Sequence, residues 1–186
     1  MKSHSARIPV KQLATVALMF SLGAAASNAQ QRPIAGSFSG TGAPSAIVVQ
    51  PQQGLTNTFE YSFEGNGTLG PFAFRAFTAS AAAEKPAGST CAIYASVVAG
   101  EGVLRSQDGS VLMVNSATGT DCIEFLPTGP IAHCTRTFKI ARGAGRFSNA
   151  AGDDTDTITF SFTVLPSSIL SGITDGQMTG TLSRVN

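Results

Sequence analysis

The chain has 186 residues, with 12 basic and 11 acidic side chains, 20 glycines and no tryptophan. The near-balance of charge excludes the basic excess of a nucleic-acid-binding domain. The length suits one domain with a proper core.

Lys2, Arg7 and Lys11 come first, and the uncharged run LATVALMFSLGAAA follows from Leu13 to Ala26 and closes on Ser27-Asn28-Ala29. A basic start, an apolar core of this length and an A-x-A-like end describe a secretory signal. A membrane anchor needs about 20 apolar residues, and Asn28, Gln30, Gln31 and Arg32 end the run too soon. Cleavage is expected after Ala29. Residues 1–29 are then the signal peptide and 30–186 a single secreted or periplasmic domain with no stable membrane span. The leader holds three of the 12 basic residues and none of the 11 acidic ones, so the remaining 157 residues carry nine against eleven, a net charge of −2. No nucleic-acid partner is expected at that balance.

Beyond residue 30 short alternating segments replace helical periodicity. In chain order the expected strands are Ile34–Thr41, Ala46–Gln50, Thr58–Phe63, Pro71–Ser80, Ala92–Arg105 (one long strand or a bent pair), Ser110–Asn115, Cys122–Leu126, Ile131–Ala141, Thr157–Val164 and Gln177–Arg184. Turns are expected at Gly65-Asn66-Gly67, Asp108-Gly109, Pro127-Thr128-Gly129-Pro130 and Asp175-Gly176. Ala79–Ser89, with its small residues and Pro86, reads as an exposed loop or a single helical turn. Short strands at regular spacing mean a sandwich or a barrel. Glycines such as Gly36, Gly40, Gly100, Gly102 and Gly180 permit sharp coiling. The expected fold is therefore all-β, an antiparallel barrel of about eight strands.

Cys91, Cys122 and Cys134 all lie in the exported part, where disulfides form, and an odd number leaves one thiol over. With Pro127 to Pro130 as a hairpin turn and Leu126 opposite Ile131, Cys122 and Cys134 fall one position from register, a gap that a longer loop or a bulge would close. A Cys122–Cys134 disulfide is expected, with Cys91 spare. A bridge from Cys91 to either partner is the chief rival. No C-x-x-C pair is present, so no zinc site, other metal or cofactor is expected.

The stretch Gly143-Ala144-Gly145-Arg146-Phe147-Ser148-Asn149-Ala150-Ala151-Gly152 follows a strand and precedes another. Its G-x-G-x-F-x-x-A-x-G pattern resembles a loop of the allene oxide cyclases and the related dirigent proteins. Tyr61 to Leu69, followed by Gly70-Pro71-Phe72, resembles a hairpin of the same families. The resemblance covers about a third of the exported part. It implies an eight-stranded antiparallel barrel able to hold a small apolar molecule. Gly143, Gly145, Phe147, Ala150 and Gly152 match as structural positions, the glycines for tight turns and Phe147 as a plug. One branch of that family cyclises a fatty-acid epoxide, and the other steers phenoxy-radical coupling. The cyclases' polar pocket residues find no counterparts here, so fold does not carry activity across.

Whether the chain is an enzyme stays open, because its chemistry-bearing residues are few. His133 is the single histidine of the exported part, and Cys134 beside it on a strand points to the opposite face. Asp153, Asp154 and Asp156 could hold a cation, but a solvated strand start is commoner. Arg136, Lys139, Arg142 and Arg146 read as a solvated face. Glu60, Glu64 and Arg75 form a polar patch inside or outside the barrel. Phe59, Tyr61, Phe63, Phe72, Phe74 and Phe77 form the densest aromatic group; filling the barrel is favoured, and the first five are the candidates to line a ligand cavity. Asn66-Gly67-Thr68 fits a glycosylation sequon. The leading functional reading is a non-enzymatic barrel binding a small apolar ligand or partner. An isomerase, cyclase or dirigent-like protein acting on a lipid-like or phenolic substrate comes second. A small outer-membrane barrel comes third, weakened by the shortage of girdle aromatics.

Overall fold

The computed structural model describes residues 31–45, 57–150, 156–165 and 171–183. The signal peptide, the strand expected at Ala46–Gln50, and Gly152, Asp153 and Asp154 lie outside the described residues. Eight strands pair antiparallel in sequence order and close into a barrel: β1 (Gln31–Pro44), β2 (Asn57–Gly67), β3 (Phe72–Ala82), β4 (Ile93–Ser106), β5 (Val111–Leu126), β6 (Gly129–Ala144), β7 (Thr157–Leu165) and β8 (Ser171–Ser183), with β8 returning to β1. The only helix among the described residues is a 3-10 turn, Gly145–Phe147, and none is long and apolar enough to cross a membrane.

Several expected breaks are irregularities within continuous strands. Ser110–Asn115 and Cys122–Leu126 belong to one strand, β5, which continues through a bulge between Asn115 and Thr118 with Ser116 at φ 52°. Asp175-Gly176 is a bulge in β8, with Asp175 at φ 52°, rather than a turn. β2 runs on through Gly65-Asn66-Gly67, and its reversal follows, with Gly70 at φ 72°. In β5 and β8 turn-type residues supply a positive φ at a bulge, so composition alone does not separate a bulge from a turn. Ala79 to Ala82 belong to β3 and no helix follows them.

The interior is a stack of aromatic rings. Phe63 and Phe74 enter from β2 and β3, Phe138 from β6, and Phe160 from β7, all essentially without solvent contact. Centroids lie 4.3 Å apart for Phe74–Phe160, 4.5 Å for Phe38–Phe63, and 5.2 Å for Phe63–Phe162. Inward glycines make room for them. A Cβ on Gly65 would come 2.5 Å from the Phe72 ring, one on Gly102 would come 2.8 Å from Phe74, and one on Gly176 would come 2.5 Å from Phe38. Of the glycines expected to permit coiling, Gly102 also acts as a socket for a ring, and Gly65 and Gly176, expected in turns, do the same.

One end is plugged by the segment after β6. Gly145 sits at φ 66°, and Phe147, Ala150 and Leu69 are buried in the core there. Arg146 lies across this end, donating to the Leu69 carbonyl and, at 2.9 Å, to Ser106 Oγ, with its guanidinium 4.8 Å from the Phe147 ring centre. Asp156 is buried, its carboxylate accepting from the Ser183 amide and hydroxyl at 2.7–3.0 Å.

The expected Cys122–Cys134 disulfide is wrong. Cys122 is bonded to Cys91, with Cα atoms 5.2 Å apart, and Cys134 is a free, buried thiol. The β5–β6 turn is only Pro127-Thr128, so Leu126 faces Gly129 and Glu124, not Leu126, faces Ile131. Cys134 therefore stands opposite Asp121, and Cys122 opposite His133. One position of register sends the two cysteines to opposite faces of the sheet. Cys91 is held next to β5 because the Ala92 amide donates to the Ile123 carbonyl at 2.8 Å.

Gly65→Ala is expected to destabilise by about 1–3 kcal/mol through overpacking, whereas Gly172→Ala, where nothing lies within 4 Å, stays within about 0.5 kcal/mol; denaturant titration of both variants checks this. An unreduced digest should yield one linked peptide pair, containing Cys91 and Cys122. Replacing both by alanine should cost about 3–4 kcal/mol in the chain-entropy model, given the separation of 31 residues.

Candidate functional site

Besides the Arg146 and Asp156 contacts, the described residues form a buried polar network inside, beyond the aromatic stack, and a groove on the outer face. The buried network centres on Arg136, expected on a solvated face but buried within the barrel. It shares its phase on β6 with Cys134, Phe138 and Ile140, all of which point inward. Its Nη2 donates to the Tyr61 hydroxyl at 2.7 Å and to Asp121 Oδ1 at 2.5 Å. Nη1 donates to the carbonyls of Thr120 and Thr135 at 3.2 and 2.9 Å, and Nε to Thr78 Oγ1 at 3.3 Å. Ser80 Oγ donates to the other Asp121 oxygen at 2.8 Å. The guanidinium carbon is 5.5 Å from the Tyr61 ring centre and 5.8 Å from that of Phe162.

These contacts use all five donors of the guanidinium, so none is left to bind a substrate anion. Burial pushes the Tyr61 hydroxyl up to about 12, against the lowering influence of Arg136. Burial, reinforced by the Asp121 charge, also drives the Cys134 thiol far above its ordinary value. Tyr61 is then a neutral phenol and Cys134 a neutral thiol at pH 7, neither a base nor a nucleophile. The network ties β2, β3, β5 and β6 together. It is not assembled for proton transfer.

The sequence-selected residues divide between the two faces. Tyr61, Phe63, Phe72 and Phe74 are buried inside, and Phe59 packs partly buried at the end of their row, 5.3 Å from Tyr61 between ring centres. They lie against one another and the remaining core. Glu60, Glu64 and Arg75 face outward, which settles the side of that patch. His133 is exposed and points away from Cys134. Asp156 spends its carboxylate on Ser183. Among the described residues no group of three or more His, Cys, Asp or Glu side chains is placed to hold a metal ion.

The groove, of about 900 Å³, crosses the outer face from β1 to β6. Register sets its side chains in two rows. One row runs Ala43, Glu60, Phe77 and Glu101 across β1 to β4. The next, two residues along each strand, runs Thr41, Ser62, Arg75, Val103, Met113 and Arg142 across β1 to β6. Arg142 Nε lies 2.9 Å from Met113 Sδ, and the Ser45 hydroxyl donates to Glu60 at 2.6 Å. Sequence reading selected Glu60, Arg75 and Phe77 but could not join them to β4 and β5, because strand register is not visible in one-dimensional alternation.

Among known proteins, no family model matches the chain and no curated sequence matches it at a significant level.

Removing Asp121 leaves a buried cation unpaired, which is strongly destabilising, whereas replacing an ion pair by apolar groups is often neutral. Asp121→Ala should therefore cost about 3 kcal/mol, and the double variant Asp121→Leu/Arg136→Met should recover most of that loss. Equal losses in the two variants by denaturant unfolding would contradict a structural role for the pair.

Proposed function

We propose that the chain is an exported, non-enzymatic barrel that binds a small, partly apolar molecule in the groove outside β1–β6. The observation that carries this is the distribution of space: the interior is occupied by rings in mutual contact, while a groove of about 900 Å³ lies open on the outer face. That volume is within the usual range of small-molecule sites, which combine apolar lining with a few placed polar groups. Phe77, Val103 and Met113 supply the apolar part, and Glu60, Arg75, Asn115 and Arg142 the polar part. Export is supported by the character of residues 1–29 and by the Cys91–Cys122 bridge, since disulfides persist in oxidising compartments. The loop from Gly143 to Gly152 supports kinship with the allene oxide cyclase and dirigent barrels, whose inward cavity is here replaced by packed phenylalanines.

The outer-membrane reading fits less well. Such barrels are apolar outside and polar inside, whereas this one has an aromatic core and carries Glu60, Arg75, Glu101 and Arg142 around its outer face.

Titration of the isotopically labelled mature chain with the neutral apolar dye N-phenyl-1-naphthylamine tests the location. Amide shifts should concentrate on the outward rows of β2–β5, and Ser62→Trp, which fills the groove, should abolish them. Shifts confined to the interior residues Phe63, Phe74 and Phe160 would place binding inside the barrel and overturn the proposal.

A further inference from the structure

The two rows of the groove differ in charge. Glu60, Phe77 and Glu101 stand side by side on β2, β3 and β4, because Glu60 is the partner of Phe77 in one ladder and Glu101 is its partner in the next. Strands lie about 4.8 Å apart, so the two carboxylates flank the ring at a mutual spacing of about 10 Å. Across β1 to β4 no cation shares this row: Glu60's other neighbour is Ala43, and the row's first cation is Lys139 on β6, the partner of Asn115. Among the described residues neither Glu60 nor Glu101 has an ion-pair partner, although Arg75 sits one row away. The groove thus keeps two carboxylates without a direct ion pair beside an aromatic ring, with Arg75 and Lys139 as the cations nearest to them. A ring face attracts cations, and flanking carboxylates add to that attraction.

Resting on the groove reading above, we infer that the Glu60–Phe77–Glu101 row is the recognition element, and that its ligand carries an ammonium or guanidinium group on an apolar stem. The cation lies over Phe77 between the carboxylates. The stem runs toward Val103 and Met113 in the neighbouring row, two residues or about 7 Å along the strands. Arg75 and Arg142 in that second row oppose a second positive charge on the stem, which selects a ligand with a single cationic head and a neutral or anionic tail.

Three matched probes, n-hexylammonium, hexanoate and hexanol, titrated against the labelled mature chain and followed by amide shifts, test this. Hexylammonium should shift the amides of Glu60, Phe77 and Glu101, and added salt should weaken it. Glu60→Gln, Glu101→Gln and Phe77→Leu should each weaken it about fivefold. Glu64→Gln, one row outside the groove, should leave it unchanged, and melting curves of all four variants confirm that they fold. Equal weakening by Glu64→Gln reduces the effect to overall charge and overturns the inference. Groove binding of hexanoate or hexanol as tight as that of hexylammonium overturns the cation assignment while leaving the groove reading in place. If none of the three probes moves groove amides, both fall.

Discussion

Everything in this barrel follows from fitting large aromatic rings inside a closed ring of eight strands. An eight-stranded barrel has an interior just wide enough for side chains to fill. Here Phe38, Phe63, Phe74, Phe138, Phe160 and Phe162 contribute rings from five strands. They fit because Gly65, Gly102 and Gly176 leave the space that a Cβ would take. Ring and glycine are complementary, so neither is free to vary alone. The same packing brings the rings into contact with one another across the interior, which moves the binding question to the outer face.

The buried ion pair is a second consequence. Beyond the aromatic stack the inward positions turn polar, with Thr78, Ser80, Asp121 and Arg136. An arginine there is tolerable only if every donor is met, and the two backbone carbonyls, the Tyr61 phenol, the Thr78 hydroxyl and the Asp121 carboxylate meet them all. A reactive site leaves something unsatisfied for its substrate. This one leaves nothing, and its neutral Tyr61 and Cys134 fit a lock between strands rather than an acid–base pair.

Much of the fold was legible because alternation is a local property: Ile158, Phe160, Phe162 and Val164 announce the inward face of β7 in the sequence itself. Arg136 is misread as solvated because it stands among Lys139, Arg142 and Arg146, although it keeps phase on β6 with the inward Cys134, Phe138 and Ile140. The disulfide was not legible. A two-residue and a four-residue β5–β6 turn both leave Cys122 and Cys134 one position out of register, on opposite faces of the sheet. The partner that Cys122 does find, Cys91, is brought to it by the segment before β4, which no local pattern encodes. The groove was half visible, since Glu60, Phe77 and Arg75 stand out as an aromatic and charged group. Their union with Glu101, Met113 and Arg142 depends on register across four ladders, which no single segment encodes.

The claim on which the rest depends is that the interior is full. Xenon enters apolar cavities that are empty of water, so a crystal of the mature chain pressurised with xenon addresses it directly. The account predicts no xenon site among Phe63, Phe74, Phe138 and Phe160. A well-occupied xenon atom between those rings would show a true interior cavity and contradict it.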